Sequence, residues 1–271
     1  MPSPPTRPNI YKAILVKIFV DRYRHGVSEI PFVRQDLIDA ATALGVPLPR
    51  NLGDIVYSNR YRTGLDGQIT KTQPPGKAWV IEGTGRSSYA FRLLREVSIA
   101  PNPALRPIKI PDATPEIIGR YALSDEQALL ARVRYNRLID IFLGIAAYSL
   151  QNHLRTSVDS IGQIEIDEVY VGVDCRGAQY VIPVQAKGGT DRLSMVQTRQ
   201  DFACCGEKFP DLLCRSISAQ FAAEGLIALF EVGLEKDGIS ILDERHYRLV
   251  PADEISASEL KDYSARGAKS R

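Results

Sequence analysis

Two short runs of this chain hold side chains that can do chemistry together: Glu165 and Asp167 in Gly162–Val173, and Gln185 and Lys187 in Gln179–Lys187. Both runs are rich in β-branched and aromatic residues, as strands are. Asp174-Cys-Arg-Gly177 between them has the Asp-x-x-Gly pattern of a type I turn. Side chains alternate across a strand, so Glu165 and Asp167 share one face, and Gln185 and Lys187 share one face. A tight turn makes the two strands neighbours. Two carboxylates, an amide and an ammonium then converge, which is costly to bury unless they pair with each other or hold a metal. Two carboxylates and an amide oxygen, completed by a backbone carbonyl at Ala186 and by water, suit Mg²⁺ or Mn²⁺. Such an ion polarises a phosphoryl oxygen and makes hydroxide available near neutral pH. Lys187 beside it can hold the attacking water or neutralise charge developing on phosphate. This chemistry is phosphodiester hydrolysis. The same residues also fit an amphipathic hairpin with a solvated polar face, on which Glu165 and Lys187 form a surface ion pair.

Around these strands the sequence predicts a helix on each side. Ser124-Asp-Glu-Gln127 has capping-box spacing and opens a long helix to about His153, with Leu138, Ile141, Phe142, Ile145 and Tyr148 at helical intervals. Arg132, Arg134, Asn136 and Arg137 on it either line a nucleic-acid groove or form a solvated face. Asp191–Asp201 reads as the helix after Lys187, with Gln197 and Gln200 able to face the site. Strand-like stretches follow at Arg215–Phe221, Leu226–Leu234 and Gly238–Val250, and the polar tail beyond Pro251 reads as frayed.

The first hundred residues read differently. Helices are predicted over Asn9–Arg24, Val33–Leu44 (stopped by Gly45) and Asn51–Arg60, then strands Ala78–Glu82 and Ser87–Leu94 around Gly83-Thr-Gly-Arg86. Three helices and a hairpin are the order of a winged helix, whose third helix enters the major groove while the wing touches the backbone or minor groove. Arg50, Asn51, Asn59, Arg60 and Arg62 are of the types that read guanine and adenine edges, and Arg86 would serve the wing tip. Winged helices also serve as protein-protein modules. Charge follows the same division: residues 1–100 hold 14 Lys and Arg against 8 Asp and Glu, and the remainder 20 against 24. A basic module joined to a part that uses carboxylates suits a polyanion. Ile99–Pro111, with four prolines in thirteen residues, reads as an extended strap, giving a DNA-binding domain over 1–100, a linker over 101–123 and a second domain over 124–271.

Several classes are excluded on residues alone. No apolar run approaches the ~18 residues of a membrane span, and the N-terminus lacks an apolar signal core, which predicts a cytoplasmic protein without a membrane partner. Cys175, Cys204, Cys205 and Cys214 form no CxxC and read as reduced thiols. Gly83-Thr-Gly-Arg86 is no dinucleotide fingerprint and there is no P-loop, so no nucleotide cofactor is expected. His153 and His246 read as satisfied or surface histidines.

Gly-x-x-Glu-Ile-Asp, a turn, then an apolar strand ending Val-Gln-Ala-Lys resembles the core motif of the PD-(D/E)XK nuclease superfamily, over roughly Ser124–Leu234. The resemblance implies Asp167 as the metal-binding acid, Lys187 as the catalytic lysine, Glu165 as an auxiliary carboxylate, and Gln185 where a second acid is usual. With the N-terminal module it resembles a type II restriction endonuclease. The implied fold is α/β (α+β), a winged helix followed by a mixed β-sheet flanked by helices. The implied activity is Mg²⁺-dependent cutting of double-stranded DNA by a homodimer, leaving 5′-phosphate ends. Two other readings remain: a repair or defence nuclease that recognises structure or modification, and a regulator that binds DNA without cutting it.

Overall fold

The computed structural model describes residues 9–61, 64–97, 99–121, 126–188, 194–222 and 225–269. Its N-terminal elements are α1 (Ile10–Arg22), β1 (Glu29–Val33), α2 (Arg34–Leu44), α3 (Gly53–Tyr61), a single turn α4 (Gly67–Thr70), β2 (Lys77–Gly85) and β3 (Ser88–Arg95). Asn9 starts α1 by accepting the amides of Tyr11 and Lys12 on its side chain. Gly45 ends α2 in the left-handed conformation at φ 64°, where a side chain is strained. Ile14, Leu15 and Phe19 of α1, Leu37 and Ala41 of α2, and Ile55 and Val56 of α3 close on Trp79, Ile81 and Phe91 in one core. β1 was missing from the three-helix reading. Its Ile30 and Phe32 alternate inward, and it pairs antiparallel with β3 to complete a sheet of order β1-β3-β2.

The second part contains β4 (Ile108–Pro111), α5 (Glu116–Tyr121), α6 (Glu126–Tyr135), α7 (Leu138–Leu143), β5 (Ala146–Val158), β6 (Gly162–Val173), β7 (Gln179–Lys187) and α8 (Met195–Lys208). After these come β8 (Leu213–Cys214), β9 (Ser216–Ala222), β10 (Leu226–Glu235), β11 (Gly238–Val250) and α9 (Ala257–Lys269). Together they build an eight-stranded mixed sheet of order β4-β11-β10-β9-β7-β6-β5, with β8 attached to β7. β5, β6 and β7 form an antiparallel meander; α8 then crosses over, and β9 returns parallel to β7. The chain is thus a mixed α+β protein. Leu129, Leu130, Val133, Leu138 and Ile139 of α6 and α7 cover one side through Ile182, Val184 and Ala186. Cys204 and Cys205 of α8 pack on Val169 and Val181.

Three expectations are corrected. The long helix to His153 is two short helices and a strand. Arg137 turns left-handed at φ 48°, Gly144 at φ 68° ends α7, and Asp140 accepts the Ala147 amide to start β5. In β5 the hydrogen-bonded ladder to β6 then outweighs the helical spacing that Tyr148 continues, and Tyr148 faces solvent. The tail beyond Pro251 is not frayed: α9 ties back to β4, Tyr263 Oη accepting the Lys109 amide at 3.1 Å and Glu259 pairing with Lys109 Nζ at 3.0 Å. The strap is not free either, since β4 pairs parallel with β11 and Ile99 packs on Phe230 and Ile239.

The two parts touch through β2. A Cβ on Gly83 would lie 2.0 Å from the Ile161 carbonyl oxygen in the β5–β6 turn, so only glycine permits this approach. Beside it Glu82, nearly buried, bonds Arg92 of β3 at 3.0 Å and Arg199 of α8 at 2.6 Å. No helix among the described residues is long and apolar enough to cross a membrane.

Candidate active site

β6 and β7 run where the residue pattern places them, and the intervening turn is held by Asp174, whose Oδ1 accepts the amides of Arg176 at 2.8 Å and Ala178 at 3.0 Å. The β6–β7 ladder runs from Val173 and Gln179 to Glu168 and Val184 and goes no further. Beyond it β7 continues its pairing with β9 instead, from Val184 to Lys187. Asp167, Gln185 and Lys187 all fall in the fork where the two strands part.

Each fork residue is held in place. The Asp167 carboxylate accepts the Ala186 amide at 2.8 Å, taking the bond that the ladder no longer supplies. Burial pushes the Asp167 carboxyl above the usual carboxylate range, and the Ala186 amide and Lys187 pull the other way without cancelling it. Gln185 is 2% exposed. Its Nε2 donates to Asp201 of α8 at 2.9 Å and 3.2 Å and to the Glu165 carbonyl at 3.3 Å, while its Oε1 is buried without a protein partner. Asp201 is fully buried, and that desolvation raises its carboxyl well above the ordinary value. Lys187 Nζ bonds Glu126 at the start of α6 at 3.0 Å.

One predicted relation changes. Glu165 does not pair with Lys187; it meets His153 at 3.1 Å and Arg155 at 3.3 Å on β5. His153, read as bland, sits beside the fork with its backbone left-handed at φ 52°. Among the described residues no three His, Cys, Asp or Glu side chains stand together; the expected metal set Asp167, Glu165, Gln185 and Ala186 is of another kind, two carboxylates with an amide oxygen and a backbone carbonyl. Of the helical auxiliaries, Gln197 lies one turn before Asp201 and so shares its face of α8. Gln200 lines the cavity against Glu82 and Gly83.

The expected DNA-contacting residues divide. Arg50 is exposed ahead of α3, and Arg86 is exposed at the tip of the β2–β3 hairpin. Asn51 is exposed but works as a cap, accepting the Gly53 amide and donating to Asp54. Asn59 is corrected: it is 2% exposed and donates to the Ile55 carbonyl within its own helix, so it reads no base in this conformation. Arg62 lies outside the described residues, as do Ser124 and Asp125 of the predicted capping box, and the Arg60 side chain is likewise outside them. Around the α6–α7 junction, Arg134 bonds buried Glu168, Asn136 holds the 112–114 turn, and Arg137 pairs with Asp140; Asn136 and Arg137 also line an open cleft with Tyr135 and Ile141. A cleft of about 600 Å³ separates the two parts, lined by Tyr57 of α3, Arg86 and Tyr89 of the hairpin, and Asp159 and Gln163 beside the β5–β6 turn.

Residue reasoning missed Glu126 and Asp201. Glu126 was seen only as part of a capping box. Asp201 sat in Gln-Thr-Arg-Gln-Asp, where nothing in the pattern separates a buried acid from a solvated one. No family model, curated protein or solved structure matches the chain.

The fork offers hard oxygen donors, one buried amide oxygen without a partner and a half-buried ammonium. That is a donor set for a small divalent cation, not for a soft metal.

Proposed function

We propose that this protein is a metal-dependent DNA endonuclease of the restriction type, with a winged-helix N-terminal module and a PD-(D/E)XK-like second part. The observation that carries the reading is the convergence of Asp167, Gln185 and Lys187 in the fork between β6 and β7. The order of elements around it supports the same reading: a helix, three antiparallel strands, a crossover helix and a parallel fourth strand. In the N-terminal part, β1 between α1 and α2 and the hairpin after α3 support the winged-helix reading.

Asp167, Gln185 and Glu126, with Glu165 beside them, are the residues that would hold Mg²⁺ or Mn²⁺. When bound, such an ion supplies Lewis acidity toward the phosphate and a more acidic water. The chain's own residues do the rest. Asp167, already tied to the Ala186 amide, is fixed rather than searching. Lys187 exchanges Glu126 for the scissile phosphate and neutralises charge as it develops there. Arg86 and Arg50 face outward where a duplex backbone would lie, and a homodimer would bring one fork to each strand.

A second reading, a regulator that binds DNA without cutting it, is favoured by Gln185, which supplies an oxygen but no charge where a second acid is usual. Long unmethylated phage DNA separates the two. Discrete bands with Mg²⁺, absent with EDTA and absent for Lys187→Ala, support the endonuclease. A gel shift without cleavage under Mg²⁺ and Mn²⁺ overturns it in favour of the regulator. A smear moves the reading to a nuclease directed by structure or ends.

A further inference from the structure

Gln185 has two hydrogen-bond directions that are not interchangeable: its nitrogen only donates and its oxygen only accepts. Nε2 faces both oxygens of Asp201, at 2.9 Å and 3.2 Å, and the Glu165 carbonyl at 3.3 Å. The Glu165 carbonyl can only accept, and Asp201 offers an accepting oxygen to Nε2 whether or not its other oxygen carries a proton. Reversing the amide would set the Gln185 oxygen against the Glu165 carbonyl, so the orientation seen is the one that satisfies both partners. The polar atom of the side chain left over is Oε1, buried and without a protein partner. Asp201 itself is fully buried in the middle of α8, a place where a carboxylate is expensive and an apolar side chain would pack.

Resting on the reading of the fork as a cation site, we infer that Asp201 is a positioning residue that holds Gln185 with its amide oxygen turned to the cation. It also accounts for glutamine at this place in the motif. A glutamate there would set a second acid against buried Asp201 and, once ionised, would leave the Glu165 carbonyl without a donor. With Asp201 behind it, glutamine is the residue that can donate backward and still offer oxygen forward. Conversely, exchanging the two chemistries in the double variant D201N/Q185E lets an amide on α8 donate to a carboxylate on β7. That pair would present oxygen to the fork with the same net charge and almost the same shape.

The test reads Mn²⁺ binding to the full-length protein by titration calorimetry and by the loss of the free-ion paramagnetic resonance signal, with no DNA present. Asp201→Asn places both a donor and an acceptor behind Gln185, so the amide is no longer locked and its nitrogen is free to turn toward the fork. Its Mn²⁺ affinity falls by about 10–100-fold, the usual effect of removing a residue that orients a ligand. The double variant D201N/Q185E regains affinity to within about threefold of wild type, judged against that same range. A purely structural Asp201 would not give this pattern of loss and recovery. Wild-type binding in D201N, a folded double variant that stays weak, or a wild type that takes up no Mn²⁺ overturns the inference. If D201N does not fold, the double variant alone decides. Should neither fold, the Gln185 side-chain NH₂ signal of the wild type decides: slow solvent exchange supports the locked amide, and fast exchange overturns it. The outcome is independent of cutting. The binding pattern without DNA cleavage keeps the inference and sinks the endonuclease; cleavage with unchanged Mn²⁺ binding in D201N does the reverse.

Discussion

Gly83→Ala tests whether the β2–β3 hairpin is docked on the second part or free as a wing. An added Cβ would stand 2.0 Å from the Ile161 oxygen and 3.1 Å from its carbonyl carbon. Carbon and oxygen rest at roughly 3.4 Å or more, so one backbone must retreat by about 1.4 Å. Neither can do so locally. Gly83 is paired in register with Tyr89, and the Ile161 amide is bonded to the Val158 carbonyl. A retreat of that size carries the adjacent Glu82 away from Arg199, stretching a 2.6 Å bond beyond hydrogen-bonding range. Overpacking of this kind costs about 1–3 kcal/mol, and disturbing a nearly buried ion pair adds to it. The expected loss is therefore about 2–4 kcal/mol. At about 2–4 °C per kcal/mol for a chain of this size, the melting temperature falls by about 5–15 °C in calorimetry. A free hairpin predicts the opposite sign, since alanine in an unstrained strand position stabilises by about 0.4–1 kcal/mol. An unchanged or raised melting temperature would refute the docking of β2 on the β5–β6 turn.

Three further outcomes follow from the same geometry. Arg134→Met removes the 2.8 Å bond to fully buried Glu168 and its one ion-pair partner among the described residues, leaving the hydroxyl of Ser149 still donating to it; urea titration should show a loss of about 3 kcal/mol, and a loss below about 1 kcal/mol would show that Glu168 does not depend on Arg134 for its charge. Asp167→Asn keeps an acceptor for the Ala186 amide and should fold as stably as wild type, whereas Asp167→Ala orphans that amide and should lose about 1–3 kcal/mol; equal stabilities would deny the bond. Because the folded Asp167 carboxyl titrates above its unfolded value, protonation favours the folded state: this contribution is complete below the ordinary value of 3.8 and is lost as pH rises through the raised one. In EDTA, the stability of Asp167→Asn relative to wild type should thus decline as pH is lowered from 7, and a rise would reverse the assignment.

What could be read from the residues was decided by local chemistry. β6 and β7 were legible to their end residues because β-branched alternation and the Asp174 turn agree, and no competing pattern overlaps them. α1, α2 and α3 were legible because Asn9, Gly45 and Asn51 act through their own neighbours. β5 was not. Its residues carry apolar side chains at helical spacing, and what makes them a strand is the partner ladder on β6, which is a tertiary fact. Strand parity correctly grouped Asp167 with Glu165, yet it could not show that the β6–β7 ladder stops at Glu168, nor that Glu165 is drawn aside by His153 and Arg155. For Asp201 the missing information was which face of α8 meets β7. For Asn59 it was that the polar side of a short helix is folded against its own backbone.

The fork explains why these residue types stand where they do. A sheet that keeps pairing has no room for a site, because each backbone amide is already used and side chains stand perpendicular to the strands. Where β7 leaves β6 for β9, the amide of Ala186 loses its strand partner and must find an acceptor. Asp167 supplies it, and in doing so its carboxylate is drawn into the plane between the strands. Gln185 is pulled the other way, toward α8, by the Asp201 carboxylate, and its oxygen remains unspent. Lys187, at the end of β7, reaches the start of α6 and meets Glu126. The strand order therefore does the positioning: an antiparallel partner on one side and a parallel one on the other force a parting, and the parting brings one acid, one buried amide oxygen and one ammonium to the same edge. A surface hairpin with a solvated face would need none of this. Its carboxylates would stand in water near their ordinary titration range, its lysine would pair across the strands, and no acid would be buried behind it.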